Sequence, residues 1–340
     1  MQKVLEEYGF ESGDCILSPL GNGLINSTWL VERVTAAYVL QKINQQIFKQ
    51  PELIAQNIRL IQDFLAKEFP AYLFVGAIPT ATGKDMVKIA DGYFRLFPFV
   101  NGSHTVDVLE QPAQAYEAAR QFGAFTKRLQ GMDIRKLQVT LPDFHNLALR
   151  YSQFESSLIN GNKERIKDGK QLIENLQSYH SIVEVFEKIK NSLVMRCTHH
   201  DTKISNVLFD GGDKGLCVID LDTVMPGYFI SDVGDMMRTY LCPVSEEEQD
   251  FDKINIRPAF YESIKAGYLS EMNSILTDTE LNSFHYAGQY MIYMQALRFL
   301  TDHLNEDIYY GAKYPGHNLV RAGNQARLLE KLIAFNPTAN

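Results

Sequence analysis

The sequence predicts an α+β fold of two lobes, a small antiparallel sheet followed by a larger and mainly helical part. Short β-rich runs separated by turns fill most of the first hundred residues, and helical periodicity dominates the rest. A compact polar motif near residue 200 lies between two short apolar runs. A Pro- and Gly-containing segment around residues 98–102 separates the two patterns. We therefore expect lobes of residues 1–100 and 101–340.

The composition argues against several classes of protein. The 340 residues include 45% hydrophobic and 22% charged residues, with a net charge of −8 and no basic run. Such a surface disfavours nucleic acid or an anionic membrane as the main partner. The sequence contains neither an apolar run long enough for a spanning helix nor a secretory signal at its start. Four scattered cysteines without a C-x-x-C pair favour reduced thiols and a cytoplasmic protein.

The first lobe has two features that suit a bound nucleotide. Gly21 and Gly23 lie in a turn between β-rich runs, where glycines let backbone N–H groups approach phosphates closely. The next run, residues 37–43, contains Lys42, whose charge would neutralise those phosphates. A register shift of one residue would exchange Lys42 for Gln41. A lone G-x-G is more often a simple hairpin turn, and the absence of G-x-x-x-x-G-K-[ST] excludes a P-loop enzyme.

The same lobe continues with a helix and further strands. The helix is predicted from Pro51 to about Lys67, because apolar residues recur at three- and four-residue steps after a proline. Two or three strands are expected to follow it, over residues 71–78, 85–90 and 92–100. The backbone near Phe97 and Phe99 would then contact an adenine, while the aromatic side chains pack the hinge.

The motif near residue 200 contains the residues that suggest catalysis. It reads His199-His200-Asp201-Thr202-Lys203-Ile204-Ser205-Asn206, and the next apolar run ends in Ile219-Asp220-Leu221-Asp222. This spacing resembles that of the catalytic and metal-binding loops of protein-kinase-like phosphotransferases. There, one carboxylate meets the attacking hydroxyl, while an amide oxygen and a second carboxylate hold Mg²⁺, an ion that prefers hard oxygen ligands. Asp232, in a turn before the next predicted helix, is expected to hold the motif by accepting backbone N–H bonds.

A predicted helix around residues 280–304 contains an unexpected arginine. Its apolar stripe continues onto Arg298, and an arginine at such a position must be paired or must face a cavity. Either it forms an ion pair with Asp302 at i+4, or its planar guanidinium binds a polar substrate. From the residues alone we favour the ion pair. The aromatic and polar loop over residues 307–318 is typical of polar small-molecule sites.

The whole chain resembles the aminoglycoside phosphotransferase-like kinases, and within them it is similar to the bacterial N-acetylhexosamine 1-kinases. The matching stretches span the chain: YVLQKIN at 38–44, HHDTKISN at 199–206, IDLDTVMPG at 219–227, RFL at 298–300 and KYPGHNLVR at 313–321. The catalytic core is specific to the superfamily only, whereas D-L-D-T-x-M-P-G and K-Y-P-x-H-N-L-V-R are much more specific to the sugar kinases. The resemblance implies a protein-kinase-like fold that uses ATP and Mg²⁺ to phosphorylate the anomeric hydroxyl of N-acetylglucosamine or N-acetylgalactosamine.

The resemblance also implies roles for individual residues. Asp201 would be the catalytic base, with Lys203 near the transferred phosphate. Asn206 and Asp220 would be the Mg²⁺ ligands. Further residues would contact the sugar: Asn26, Arg298 and Tyr309.

Two departures from the family's pattern affect these expectations. Relatives often have G-H-I-N where this chain has Leu24 in place of the histidine, and the early helix has Arg59 where relatives tend to have a glutamate. The Lys–Glu pair of such kinases is therefore absent or rebuilt, with Glu52 as one candidate. The role of Asp222 stays open.

Several other functions remain alternatives. Kinases of a plain hexose, an aminoglycoside, choline or homoserine are the alternatives within the enzyme class. A cationic substrate favours a site lined by carboxylates, whereas a neutral sugar favours mixed donors such as Arg298 and Tyr309. A non-catalytic nucleotide-binding scaffold is disfavoured, because Asp201, Asn206 and Asp220 are all retained. A protein kinase is disfavoured because no D-F-G to A-P-E segment is present.

Overall fold

The structure is a computed structural model that describes residues 1–11, 13–21 and 26–336. Within these residues the first part of the chain forms one antiparallel sheet with five strands: β1 (Ile16–Pro19), β2 (Ser27–Glu32), β3 (Ala37–Lys42), β4 (Val87–Ile89) and β5 (Gly92–Pro98). The spatial order is β1-β2-β3-β5-β4. Helix α1 (Gln2–Glu7) precedes the sheet, and α2 (Pro51–Glu68) lies between β3 and β4. The predicted antiparallel sheet is confirmed, and so is the helix predicted from Pro51 to about Lys67.

The strand predicted over residues 71–78 is wrong. Within this described segment only Ile78 makes a β-bridge, to Leu96 of β5. Val75 and Ala77 are buried. These two apolar residues are therefore buried without joining the sheet, a difference that β-propensity cannot reveal.

The second part of the chain is mainly helical. Its longer helices are α3 (Pro112–Arg128), α4 (Leu147–Asn160), α6 (Lys170–Ser178), α7 (Ser181–Ile189), α8 (Phe229–Tyr240), α9 (Pro258–Met272), α11 (Phe284–Leu304) and α12 (His317–Ala334). Two short helices, α5 (Lys163–Asp168) and α10 (Asp278–Asn282), connect them. Both ends of α11 and most of its faces are buried, so this helix runs through the centre of the lobe. No helix in the described part of the chain is long and apolar enough to span a membrane.

The packing shows how the two parts are joined. One face of the sheet is covered by α1, and residues such as Leu40, Phe94 and Leu96 form a small core there. The apolar face of α2, including Ile58 and Ile61, belongs instead to the large core of the helical part. Helix α2 precedes residue 100 in sequence but packs into the core of the helical part. A lobe boundary near residue 100 therefore remains our proposal.

Two short two-stranded sheets position the polar motif. Strand β6 (Arg196–Thr198) pairs with β9 (Met225–Gly227), and β7 (Val207–Phe209) pairs with β8 (Gly215–Val218). Residues 199–206 thus connect β6 to β7, while residues 219–224 connect β8 to β9. The backbone N–H of Ile219 donates to the carbonyl of Asn206 at 2.9 Å, which holds the two loops side by side.

Asn57 ties α2 to the loop that follows the motif. It is fully buried, and its amide nitrogen donates to the carbonyls of Gln138 at 2.8 Å and Val224 at 3.0 Å. Its amide oxygen accepts from the backbone N–H of Gln138 at 2.7 Å. The helix is thereby fixed to the segment that carries Asp220 and Asp222.

Replacing Asn57 by alanine is expected to destabilise the protein. The change leaves buried backbone groups of Gln138 and Val224 without partners, at roughly 1–3 kcal/mol for each unsatisfied group. Urea unfolding monitored by circular dichroism measures this loss. Asn282→Ala, at an exposed position of α10, is the control and should change stability little. Equal stability of the two variants would contradict the role of Asn57.

Candidate active site

The N-terminal part of α8 holds the polar motif in place. The carboxylate of Asp232 accepts hydrogen bonds from the backbone N–H groups of His199 at 3.1 Å and His200 at 2.7 Å. Asp235 accepts from the N–H of Thr202 at 2.8 Å. These bonds confirm the expected role of Asp232. Burial raises the pKa of Asp232 to about 7, so its hydrogen bonds to the loop offset only part of the cost of desolvation.

The two histidines of the motif are structural braces. His199 is fully buried, donates from Nε2 to the carbonyl of Ile219 at 2.9 Å and lies edge-on to Phe122. Burial lowers its pKa, so the neutral ring is favoured. His200 has a φ of 66°, and such left-handed non-glycine residues cluster at functional sites. The motif is therefore a fixed and locally strained loop.

The predicted catalytic and metal-binding side chains lie together. The ammonium of Lys203 is 2.9 Å from Asp201 Oδ2 and 3.8 Å from Asp220 Oδ2. The amide nitrogen of Asn206 donates to Asp201 Oδ2 at 2.9 Å and to its backbone carbonyl at 2.8 Å. Asp220 has a φ of 60°, a second left-handed residue. The geometry leaves the carboxylates of Asp201 and Asp220 partly exposed.

The two carboxylates have opposite pKa shifts. Burial alone would raise the pKa of Asp201, but the Lys203 cation and the hydrogen bonds from Lys203 and Asn206 outweigh it and lower the pKa. Asp201 is thus ionised at neutral pH and able to accept a proton. Burial, followed by the charge of Asp222, raises the pKa of Asp220 to about 7. A cation bound at Asp220 would relieve this repulsion.

The donors fit Mg²⁺. The Asn206 amide nitrogen donates to Asp201, which leaves the amide oxygen free of protein donors among the described residues. Asp220 follows Ile219, whose backbone N–H donates to the carbonyl of Asn206, so its carboxylate lies on the adjacent loop. In the described ranges no group of three or more His, Cys, Asp or Glu side chains has metal-binding geometry. Mg²⁺ in phosphoryl-transfer sites is bound by one or two carboxylates together with phosphate oxygens and water, so this smaller set suffices.

A large cleft brings these residues together with others. Its volume is about 2140 Å³, whereas common small-molecule pockets measure roughly 300–1,000 Å³, so it has room for two small molecules. Asp201, Lys203 and Asp220 line it, together with Arg298 and Tyr309 from the far end of the chain. The structure therefore places residues that are about a hundred positions apart in sequence around one cleft.

Lys42, the proposed phosphate-binding cation, does not face this cleft. It pairs with Phe94 across β3 and β5, and its ammonium lies 5.8 Å from the centroid of that ring. Gln41 lines the cleft instead. The assignment of Lys42 is corrected accordingly, because the strand register points its side chain to the opposite face of the sheet.

Other predicted nucleotide contacts lie away from the cleft or outside the described residues. Phe97 and Phe99 are not among the residues described as lining the cleft, and the N–H of Phe99 is bonded to the carbonyl of Ala37. Gly21 adopts a φ of 69°, which favours glycine. Gly23 lies outside the described residues.

Asn26 lines the cleft, but its amide is bonded within the protein. It donates to Asp222 Oδ2 at 2.7 Å and accepts from the N–H of Asn44 at 3.0 Å. Glu52, the suggested replacement for the glutamate of a Lys–Glu pair, does not lie in this network, since it accepts from the hydroxyl of Tyr93. Arg59, at the position where relatives tend to have that glutamate, pairs with Asp85.

An ion pair that the sequence did not reveal joins the sheet to the motif. Arg95 Nη1 of β5 lies 2.5 Å from Asp222 Oδ1, and both side chains are at most 3% exposed. Arg95 also donates to the amide oxygen of Gln41 at 2.9 and 3.2 Å. The sequence carried no signal for this ion pair, because the pairing of Arg95 with Gln41, which places both on one face of the sheet, follows only from the observed strand register.

Arg298 is not paired with Asp302. Asp302 accepts from the backbone N–H groups of Tyr309 at 2.7 Å and Tyr310 at 2.9 Å, while Arg298 donates to Gln295 and, at 3.5 Å, to the hydroxyl of Tyr309. The i,i+4 ion pair favoured from the residues alone is wrong. Arg298 faces the cleft and Asp302 supports the loop that presents Tyr309.

Comparison with known proteins agrees with this architecture. Residues 16–273 match the family model described as APH, phosphotransferase enzyme family. The fold is similar to that of an aminoglycoside phosphotransferase from Alicyclobacillus acidocaldarius, with a TM-score of 0.70 and 15% identity over 98% of this chain and 93% of that one. A microcompartment-associated aminopropanol kinase has a TM-score of 0.60 at 17% identity, covering 98% of this chain and 96% of its own.

A third similar structure is the ADP-bound aminoglycoside phosphotransferase APH(2'')-Ib, with a TM-score of 0.60 and 14% identity over 98% of this chain and 99% of that one. At these identities the structural likeness shows the fold alone, and it confirms the predicted protein-kinase-like α+β fold of two lobes. The family model, in contrast, matches more than half of the sequence. The chain therefore belongs to the APH phosphotransferase enzyme family.

Proposed function

We propose that this phosphotransferase transfers the γ-phosphoryl group of ATP to the anomeric hydroxyl of an N-acetylhexosamine, with Mg²⁺ as the metal. The observation that carries the proposal is the convergence of Asp201, Lys203 and Asp220 with Arg298 and Tyr309 on one cleft. The first three side chains suit phosphoryl transfer, and the last two suit a polar and uncharged acceptor.

The nucleotide half of the proposal rests on the motif and on the family. Asn206 and Asp220 would hold Mg²⁺, which supplies charge neutralisation for the phosphates when it is bound. The similar structure of APH(2'')-Ib contains ADP, and we infer that ATP occupies the cleft of this chain in the same part of the fold. Gln41, rather than Lys42, lies on the cleft side of the sheet and would contact the nucleotide there.

The catalytic roles follow from the charges and hydrogen bonds of the motif. Asp201 is ionised, since its pKa is lowered, and it would accept the proton of the attacking hydroxyl. Burial alone would lower the pKa of Lys203, but the Asp201 and Asp220 carboxylates outweigh burial and raise the pKa. The ammonium of Lys203 therefore stays charged beside the reacting groups. Asn206 orients Asp201 through its amide. Catalysis of this type depends on positioning and electrostatics.

The sugar half of the proposal rests on the sequence resemblance and on the loop that carries Tyr309. The amide nitrogen of Asn318, in the K-Y-P-x-H-N-L-V-R stretch, donates to Asp302, to Asp307 and to the carbonyl of Gly311. These bonds close the loop against α11 and fix Tyr309 near Arg298. A motif shared with sugar kinases thus builds the acceptor end of the cleft, which supports a sugar as the acceptor.

An acceptor survey tests this proposal. ADP release is measured with ATP and Mg²⁺ on N-acetylglucosamine, N-acetylgalactosamine, glucose, galactose, choline, homoserine and kanamycin. We expect turnover of the N-acetylhexosamines and a product whose phosphate is stable to alkali and labile to acid, as for an anomeric phosphate. Turnover restricted to choline, homoserine or kanamycin would overturn the sugar assignment. The absence of ADP release with all seven acceptors would overturn the proposed function.

A further inference from the structure

Two guanidinium groups flank Phe144 at the acceptor end of the cleft. Arg298 lies with its Cζ 5.5 Å from the centroid of the Phe144 ring. Arg150, on α4, donates to the carbonyls of Asp143 at 2.8 Å and Phe144 at 3.5 Å. Both arginines line the cleft. Nothing in the sequence distinguishes Arg150 from the other polar residues of this amphipathic helix.

Neither arginine forms an ion pair with a carboxylate among the described residues. Arg150 donates to backbone carbonyls and to the amide oxygen of Gln153, and its Nε is buried without a partner. Arg298 donates to the amide oxygen of Gln295 and to the Tyr309 hydroxyl. Burial, followed by the charge of Arg298, lowers the pKa of Arg150. The two positive charges therefore oppose each other, and neither is neutralised by an ion pair within the described residues.

The carboxylates nearby are engaged by other groups. Glu246 forms ion pairs with Arg238 and Arg321, and Glu247 forms one with Lys313. Asp302 accepts the backbone N–H groups described above. An ammonium group entering this end of the cleft would therefore meet two uncompensated cations and carboxylates that already have partners.

We propose that Arg150 and Arg298 act together as a charge filter that rejects acceptors bearing an ammonium group. This inference rests on the proposed function and specifies it: among hexosamines the filter selects those whose nitrogen is acylated over those with a free amine. Like charges brought together in a partly buried site weaken binding strongly. The planar guanidinium donors, in contrast, can bind the carbonyl oxygen of an acetamido group.

Matched acceptors test the filter directly. We compare kcat/KM for N-acetylglucosamine, glucosamine and glucose, of which only glucosamine carries a positive charge. Glucose is neutral and lacks the acetyl group, so the glucose-to-glucosamine ratio isolates the effect of charge. In the unaltered enzyme we expect kcat/KM to be higher for both neutral sugars than for glucosamine. For N-acetylglucosamine the difference should be on the order of a hundredfold, since juxtaposed like charges produce effects of that size.

Substitutions of Arg150 then assign the effect to this residue. Arg150→Met is expected to reduce the glucose-to-glucosamine ratio about tenfold, chiefly through a gain for glucosamine, whereas Arg150→Lys keeps the charge and should keep the ratio. Arg135→Met removes an exposed arginine that does not line the cleft and should leave all three values unchanged. Arg298→Met provides the same readout from the other guanidinium if Arg150→Met does not fold.

The outcomes separate this inference from the proposed function. The filter is overturned, and the sugar kinase stands, if N-acetylglucosamine is phosphorylated but kcat/KM is the same for glucosamine and glucose. The same holds if the glucose-to-glucosamine ratio of kcat/KM is equal in Arg150→Met and Arg150→Lys. If no sugar is phosphorylated, the proposed function fails, and choline is compared with its uncharged isostere 3,3-dimethylbutan-1-ol. Preference for the uncharged alcohol supports the filter, and preference for choline, or turnover of neither alcohol, overturns it.

Discussion

Asp201→Asn is expected to abolish most phosphoryl transfer while leaving the fold and ATP binding intact. The amide has the same shape as the carboxylate and keeps the loop's backbone hydrogen bonds to α8, but it cannot take the proton of the attacking hydroxyl. Removal of a general base costs roughly 10²–10⁴ in rate, and Asp201 also anchors the Lys203 ammonium at 2.9 Å, so we expect a loss near the upper end of that range.

Single-turnover ADP formation with saturating acceptor measures the chemical step, and calorimetric titration with ATP and Mg²⁺ measures nucleotide binding. The matched control is Asp63→Asn, at an exposed position of α2, which should keep full activity. A rate within tenfold of the unaltered enzyme for Asp201→Asn would rule out Asp201 as the base. A parallel loss of ATP affinity would mean that Asp201 acts through the metal site instead.

The motif around Asp201 could be predicted from the sequence because its geometry is local. Asp201, Lys203 and Asn206 lie within six consecutive residues, and the strand pairing of β7 with β8 brings Asp220 back beside them. Such short-range constraints are visible in spacing alone. Asp232 was also within reach of sequence reasoning, because its contact with the motif was expected, although it lies in the first turn of α8 and not in the predicted turn before that helix.

The errors share a different cause, since each depended on contacts distant in sequence. A one-residue question of strand register decided between Lys42 and Gln41, and only the pairing of β3 with β5 answers it. Helical spacing places Asp302 within reach of Arg298. The carboxylate of Asp302 instead accepts backbone N–H groups from the loop that follows α11. Helical periodicity shows which residues share a face and cannot show what packs against that face.

The ion pair of Arg95 and Asp222 leads to the second large effect. Arg95→Met is expected to lower the free energy of unfolding by about 3–5 kcal/mol, because removal of one partner leaves the other as an unpaired buried charge. Both side chains are nearly inaccessible to water, so no solvent reaches the remaining carboxylate to compensate. Urea unfolding of the whole chain measures the loss. The control is Arg135→Met, which removes an exposed ion pair with Asp133 and should not change the free energy of unfolding measurably.

A double-mutant cycle shows whether the loss belongs to this pair. Asp222→Leu alone leaves the guanidinium with the neutral oxygen of Gln41 and the ring of Phe97. Arg95→Met alone leaves the Asp222 carboxylate with the Asn26 amide and with Asp220 two residues away. We therefore expect Arg95→Met to be the more damaging single change. The double variant should be more stable than the sum of the two losses predicts, since an apolar pair leaves no buried charge. Strict additivity would show that the residues act independently. A large coupling would show that this ion pair holds the loop of Asp220 and Asp222 against the sheet.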